Sequence, residues 1–289
     1  MIPELKLNRW HIFRLGKNVQ RLRIMNKVKD YYNTHSFFED KRLDENEFEI
    51  PLTLKYIEKY VEPGAKILDI ACGTGNYAEK LLKKGYVLGL NDLSENNMKL
   101  TRQKIKNNSN VIHLSVSDAL NADIWEKETW DAILILGPLY HLTEKKNRLK
   151  MLQIAKKYVK KNGYIYSAFM SRTAAMLYGL KNNPKGIQEE PGVFSLWETG
   201  TDKNFVEGTE WFTNAYFSFP EEINPLISEA GLKPLHLAGI EGIFGENMQL
   251  YKNLAPAIKE KWFNFISNHC EDKHMLNYSK HYLSVSKNS

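Results

Sequence analysis

The sequence predicts an α/β fold with a doubly wound, mostly parallel sheet, and three observations carry the prediction. Short apolar runs of strand length alternate with amphipathic helical stretches between residues 66 and 170. A glycine-rich turn, "ACGTGNY", joins the first such run to the first such helix. A last β-like run, "KHYLSVSKN", closes the chain. Strand–helix–strand alternation at this spacing implies right-handed crossovers and parallel neighbours.

The elements follow in order. The first sixty residues read as helical, with polar breaks at "NTHSFFED" and "LDEN". In "PLTLKYIEKYV", Leu52, Leu54, Ile57 and Val61 fall near helical spacing, and "EPG" ends the run. Strands are expected at Lys66–Ala71, Tyr86–Leu90, Asn110–Ser115, Ala132–Gly137 and Tyr164–Met170. Helices are expected at Tyr77–Lys84, Glu95–Lys106 and Glu144–Lys160, with a short one at 121–128. Residues 171–215 carry glycines, prolines and the aromatics Tyr178, Phe194, Trp197, Trp211 and Phe212. A stretch of that length without regular structure reads as a lid. "FPEEINPLISEAGL" then predicts a helix, "KPLHLAGIEGI" a strand, residues 254–268 a helix, and "KHYLSVSKN" the seventh strand. The expected division is a helical cap (1–60), a ligand-binding core (61–170), a lid or acceptor insertion (171–215) and a C-terminal completion of the sheet (216–289). There is no internal repeat.

Composition narrows the function. At 289 residues with 43% hydrophobic content, the chain can bury a sizeable core as one elaborated domain. No apolar run approaches the roughly 18 residues of a membrane span. Two cysteines, Cys72 and Cys270, make no disulfide framework, so a reducing, cytoplasmic setting is expected. The N-terminus lacks the continuous apolar stretch of a secretory signal. Its basic, mildly amphipathic character leaves an organelle transit peptide as the alternative. The net charge is +6, but lysines are scattered over helical faces ("EKLLKKG", "AKKYVKKNG"). That reads as a solvated basic surface, with a small acidic substrate or nucleic acid as the other readings. Nothing specifies an oligomeric state.

Ligands of parallel sheets sit at the carboxyl ends of the strands, so the informative loops are 71–76, 91–93, 117–119 and 137–142. Gly73, Gly75 and Ala78 fit the G-x-G-x-x-G/A dinucleotide pattern. Asp69, at the end of the first strand, argues against a dinucleotide: a carboxylate there repels a pyrophosphate and suits a ligand carrying an ammonium or sulfonium. Asp92, after the second strand, is placed to accept from both ribose hydroxyls. Its alternative is a helix N-cap, although Ser94 is the better cap. Asp118 and the Ala119 N–H can read an adenine amine and ring nitrogen; the alternative for Asp118 is again a cap.

These residues resemble a class I S-adenosylmethionine-dependent methyltransferase. The matching stretches are "ILDIACGTGNYAEKL", "GLNDLSENNM", "SVSDAL" and "WDAILILGPLYHL", together covering about residues 50–172, and "HYLSVSK" resembles the final antiparallel strand of that fold. The resemblance implies a Rossmann-like, doubly wound, mostly parallel seven-stranded sheet with an N-terminal helical cap and a lid insertion after the fifth strand. It implies S-adenosyl-L-methionine as cofactor, held by Asp69, Ala71, Gly73, Gly75, Asp92, Leu93, Asp118, Ala119 and Gly137. The stretch "DYYNTHSFFEDKRLDENEFEI" resembles the cap of a bacterial small-molecule subgroup. By that likeness Tyr31, Tyr32 and Arg42 close over the ligand, Tyr31 on the acceptor side; ordinary helix packing and a surface arginine are the alternative.

Methyl transfer from a sulfonium is an in-line displacement that needs alignment and exclusion of water more than a catalytic triad. In "GPLYHL", Tyr140 and His141 are the expected acceptor contacts, with His141 a possible base near neutral pH. Gly137 lets the backbone pass near the ligand. Arg172 is placed to pair with a substrate carboxylate or phosphate. Trp197, Trp211, Tyr216, His236 and Glu241 are candidate lining for the acceptor pocket, with self-packing of the lid as the alternative. His269, Cys270 and His274 are too few for a metal site, so none is expected. The expected function is methyl transfer to nitrogen or oxygen of a small-molecule acceptor. A nucleic-acid methyltransferase is disfavoured because "GPLY" replaces the Asn/Asp-Pro-Pro-aromatic loop of many base-modifying relatives. An NAD-dependent oxidoreductase conflicts with Asp69 and with the long segment before the first strand. A decayed, non-catalytic binding module conflicts with the intact Asp69, Gly73, Gly75 and Asp92.

Overall fold

Alternate residues of the central strands feed two separate hydrophobic cores, which explains why those strands read as continuous apolar runs. The computed structural model describes residues 27–43, 45–121, 125, 127, 129–188, 192–201 and 214–289. β1 (Lys66–Asp69), β2 (Val87–Asp92), β3 (Val111–Val116), β4 (Trp130–Ile135) and β5 (Val159–Ser171) lie parallel. Ile67, Leu88, Leu90, Ala132 and Leu134 enter one core. Leu68, Ile133 and Ile135 enter the other. With side chains pointing to opposite faces at period two, both faces must be apolar when both are covered.

The described helices before the sheet are α1 (27–43) and α2 (Glu49–Glu58). Within the alternating region come α3 (Asn76–Lys83), α4 (Glu95–Ile105), α5 (Pro138–His141) and α6 (Lys145–Tyr158). Beyond β5 lie α7 (Arg172–Asn182), α8 (Gly192–Thr199), the two-residue β6 (Phe217–Ser218) and α9 (Pro220–Glu229). β7 (Lys233–Gly239), α10 (Met248–Lys252), α11 (Pro256–His269), α12 (Lys273–Leu276) and β8 (His281–Lys287) complete the chain. The strand order is β3-β2-β1-β4-β5-β8-β7, with β6 paired to the end of β5. β8 runs antiparallel between β5 and β7. The order reverses between β1 and β4, and that switch point is where such sheets open a crevice. The seven expected strands are therefore present, with β6 as a short addition.

Several expected boundaries move. β1 stops at Asp69, two residues early, because the Ile70–Gly75 stretch turns away toward the ligand side. Tyr158 ends α6 and Val159 begins β5, two residues before the expected helix end at Lys160 and five before the expected strand start at Tyr164. The "GPLYHL" loop contains the one-turn α5, with Pro138 in its first turn. The segment after β5 is not structureless: Ser171 caps α7 by accepting from the Ala174 N–H at 3.2 Å, and α8 follows. A 3₁₀ turn at Ala119–Asn121 stands where a short helix over 121–128 was expected, and much of that range lies outside the described residues. Among the described residues no helix is long and apolar enough to cross a membrane. Both cysteines are buried and free.

Candidate active site

The glycine loop is built by backbone geometry. Gly73 and Gly75 have φ of 56° and 85°, the left-handed region that residues with a Cβ avoid. The two glycines differ in what they do. Gly73 lines the cleft at the sheet's carboxyl edge. Gly75 does not: a Cβ there would sit 3.0 Å from Thr101 Oγ1 and 3.1 Å from its Cα, so Gly75 allows α3 to pack on α4. Thr101 also ties the loop down, its hydroxyl donating to the Gly73 carbonyl at 2.8 Å.

The cleft encloses roughly 1000 Å³ including its open mouth, at the upper end for small-molecule sites. Asp69, Ala71, Gly73, Asp92, Leu93, Asp118, Ala119, Gly137, Tyr32, Arg42, Tyr140 and His141 all line it. Asn91 holds three of its walls in register. Its side-chain amide donates to the Ile70 and Ser117 carbonyls at 3.1 Å, and its oxygen accepts from the Ser115 and Ser117 hydroxyls at 2.8 Å. A buried amide with every group satisfied fixes the strand ends that carry the acids.

Asp69 is 1% exposed and accepts one hydrogen bond, from the Ala71 N–H at 3.2 Å. Among the described residues no cation pairs with it. Burial, reinforced by the neighbouring Asp92 and only partly offset by the Ala71 N–H, pushes its pKa up to about 7. A buried carboxyl group without a counter-charge fits a ligand that brings its own positive charge. Asp92 binds the glycine loop directly: Oδ2 accepts from the Gly73 N–H at 2.8 Å, and Oδ1 accepts from the Ser94 N–H at 2.8 Å and the Asn97 amide at 3.2 Å. A carboxylate has about four acceptor positions, so capacity remains for a hydroxyl. Ser94 is the cap of α4, as the sequence indicates, accepting from the Asn97 N–H at 3.1 Å. Asp118 lines the cleft and also accepts from the Leu120 N–H at 2.9 Å, so it braces its own turn.

The N-terminal helix α1 straps this cleft through five residues. Lys29 pairs with Glu95 at 3.0 Å, and Asn33 meets Ser94 and Asn96. Tyr32 Oη lies 2.8 Å from His141 Nε2. Asp40 accepts from the Thr74 hydroxyl at 2.5 Å and pairs with Lys104. Arg42 bridges Glu39 at 2.8 Å and Glu49 at 2.9 Å. Tyr31 stacks on His35 and packs edge-on against Tyr32, outside the cleft lining.

His141 is not the near-neutral base expected from the sequence. It is 5% exposed, and burial holds its pKa down at about 3, against a hydrogen bond with the Asn214 backbone that acts the other way. The ring is thus neutral at pH 7. A neutral imidazole offers one N–H and one lone pair, and Tyr32 and Asn214 occupy the two sides. Tyr140 lines the cleft with its phenol pushed above the ordinary range, chiefly by burial.

The remaining acceptor candidates among the described residues do not line the cleft. Arg172 is buried and fully engaged: it donates to the Phe217 and Trp197 carbonyls at 3.0 and 3.1 Å, to Glu222 at 2.8 Å and to the Tyr216 hydroxyl at 3.3 Å. It therefore locks the insertion together and has no free edge for a substrate anion. Trp197 packs edge-on against Phe219. Tyr216 donates to Glu222 at 2.7 Å. His236 sits on β7 with Tyr60 and Glu271. Glu241 is fully buried and pairs with His281 at 2.6 Å, with Asn46 donating to it at 3.2 Å. Glu241, Glu49 and His281 lie close enough to share a cation, but Arg42, Asn46 and His281 already donate to these carboxylates. Trp211 lies outside the described residues.

Sequence reasoning missed Asn91, Thr101, Asp40 and Arg148. Asn91 had a local signal, standing beside Asp92 in "GLND". The others act through partners that only folding brings near.

A glycine turn at the switch point, with acids at the ends of three successive strands, defines an adenosine-ligand site on a Rossmann-like sheet. The family described as "Methyltransferase domain" matches residues 67–163. The chain is similar to the ubiquinone/menaquinone biosynthesis C-methyltransferase of Wigglesworthia glossinidia brevipalpis, 28% identical over 133 residues, which is 43% of this chain and 53% of that protein. The chain thus spans about half the length of that relative. It is also similar to the glycine/sarcosine N-methyltransferase of Parasynechococcus marenigrum, 26% identical over 223 residues, covering 73% of this chain and 77% of that one. Among solved structures, magnesium protoporphyrin IX methyltransferase from Synechocystis PCC 6803, with bound SAH, matches with a TM-score of 0.57 at 14% identity, over 91% of this chain and 99% of that one. Residues 67–163 thus match a methyltransferase domain, on the fold of solved S-adenosylmethionine-dependent methyltransferases.

Proposed function

We propose that this chain transfers the methyl group of S-adenosylmethionine to nitrogen or oxygen of a small-molecule acceptor. The observation that carries this reading is Asp69, a buried carboxyl group with no counter-charge among the described residues, at the foot of the cleft. When bound, S-adenosylmethionine supplies a methyl group on a cationic sulfur. Asp69 faces the positive charge of the ligand, Asp92 accepts from its ribose hydroxyls, and Asp118 with the Ala119 N–H reads its adenine. Tyr140 and Tyr32 wall the acceptor side, and neutral His141 holds Tyr32 in place. Helix α1 covers the cleft and keeps water from the reacting atoms. A neutral amine acceptor needs no base, which agrees with an imidazole that does not titrate near pH 7. The names of the two relatives, a C- and an N-methyltransferase, support a small-molecule acceptor without choosing its atom.

Two measurements test the proposal. Calorimetry should give micromolar binding of S-adenosylmethionine and none of NAD. A metabolite extract incubated with the protein and methyl-labelled S-adenosylmethionine should yield a labelled small molecule. Binding of NAD in place of S-adenosylmethionine, or label only in nucleic acid, would overturn it.

A further inference from the structure

Arg148 has a buried hydrogen-bonding edge with nothing on it. The residue is 5% exposed, in the first half of α6. Its Nη1 donates to the Leu142 carbonyl at 2.7 Å and to the Thr143 carbonyl at 2.9 Å. Its planar face lies over the Tyr216 ring, 3.5 Å from the ring centre. Its Nε is buried and has no acceptor among the described residues. The stack on Tyr216 satisfies the face of the guanidinium, not its edge. A buried N–H without a partner is costly, and more so on a charged group.

The charge around it is also unbalanced. Arg148 and Arg172 flank the same Tyr216 ring, at 3.5 and 5.7 Å from its centre. The carboxylate among them is Glu222, whose Oε1 takes Arg172 and whose Oε2 takes the Tyr216 hydroxyl. Glu144, just before α6, pairs with Lys146. Among the described residues, two buried guanidinium groups thus share one carboxylate. A trapped water would satisfy the Nε proton but leave the charge; an anion would satisfy both. The Nε edge of arginine is also the one that meets planar oxyanions through two parallel bonds.

The location ties this edge to the cleft. Leu142, whose carbonyl anchors Arg148, lines the cleft beside His141. The Tyr216 N–H donates to the Tyr140 carbonyl at 2.7 Å, so the stacked ring is fastened to the same wall. We propose that the Nε edge of Arg148 recognises an oxyanion, carboxylate or phosphate, on the methyl acceptor, with the Tyr216 stretch giving way to admit it. This rests on the methyl-transfer reading and narrows the acceptor to anionic small molecules. It also moves the anion-binding role from Arg172, which is saturated, to Arg148.

The test uses the full chain saturated with S-adenosylhomocysteine and labelled with ¹⁵N in arginine. The Arg148 Nε–H signal is assigned by its loss in Arg148→Lys. If that variant does not fold, loss of the ring-current shift in Tyr216→Leu assigns the same signal. Sodium phosphate and sodium acetate are titrated separately, with sodium chloride at matched ionic strength as control. The expected result is a saturable shift of the Nε–H signal at millimolar phosphate or acetate and none with chloride; the arm with the lower half-saturation identifies the favoured anion. Arg148→Lys should raise the half-saturation concentration, read on the labelled Arg172 that flanks the same ring, by about tenfold, since an ammonium has no fork. No saturable shift with either anion, or an equal shift with chloride, overturns the proposal and leaves a buried water as the occupant. The labelled-product screen separates the two readings. Methylated products without an oxyanion refute the Arg148 site and leave methyl transfer standing. An Nε–H shift in a chain that binds neither S-adenosylmethionine nor S-adenosylhomocysteine refutes methyl transfer and leaves the anion site standing.

Discussion

Replacing Asp69 by Asn sets ligand binding against folding. Burial, with Asp92 adding to it, gives this carboxyl group a pKa of about 7 in the folded chain, against about 3.9 in the unfolded one. The folded state therefore keeps, between about pH 4 and pH 7, a proton that the unfolded state has released. Stability from this group is complete below the unfolded value and is lost as pH rises through the folded one. At about 1.4 kcal/mol per pH unit, the loss reaches about 4 kcal/mol by pH 8. Asn fills the same space, can accept from the Ala71 N–H and never ionises. Urea unfolding of the ligand-free parent and Asp69→Asn from pH 4.5 to pH 8 should show the variant gaining an advantage of about 2–4 kcal/mol across the window. Comparing the two proteins at each pH cancels other groups, including His141. The depressed pKa of His141, about 3, acts in the opposite direction and removes stability as pH falls below its unfolded value. The same variant should lose about 1.5–3 kcal/mol of S-adenosylmethionine affinity at pH 8, the range for a hydrogen bond to a charged group. In the parent, affinity should rise as pH passes 7. A stability difference that does not change with pH would refute the buried, unpaired carboxyl group. A variant that binds as tightly as the parent at pH 8 would refute its role toward the ligand.

Asp92→Ala should lose about 1–3 kcal/mol of cofactor affinity, measured by calorimetry, because it leaves ribose hydroxyls and the Gly73 N–H without an acceptor. Once an acceptor is known, His141→Ala should retain cofactor binding and lose most turnover. His141→Gln, which can still accept from Tyr32, should recover a substantial part with an unchanged pH–rate profile; a lost limb near pH 6–7 would restore the general-base assignment. Gly75→Ala should destabilise the ligand-free protein by at least about 1 kcal/mol in urea melts, since its φ of 85° and the Thr101 contact both resist a Cβ. A neutral result there would mean that α3 and α4 can separate without cost.

The sheet and the acids that line the cleft were legible because their signals are local. A strand buried on both faces must be apolar throughout, and a turn with positive φ selects glycine at fixed offsets, as at Gly73 and Gly75. Asp69, Asp92 and Asp118 follow directly from the ends of strands that the hydrophobic pattern already marks. The acceptor side gave no such signal. Arg172 and Arg148 are both arginines near helix starts, and the sequence favours Arg172 because it follows a strand. Only packing shows that Arg172 spends its donors on Phe217, Trp197, Tyr216 and Glu222, while the Nε of Arg148 meets no acceptor. The charge state of His141 depends in the same way on Tyr32, far away in the chain, and on burial that no single stretch encodes. Hydrogen-bond saturation and desolvation belong to the assembled neighbourhood of a group. The sequence by itself therefore determined the fold class, the carboxyl edge of the sheet and the acids along it, and tertiary structure decided which polar groups beyond that edge find partners among the described residues.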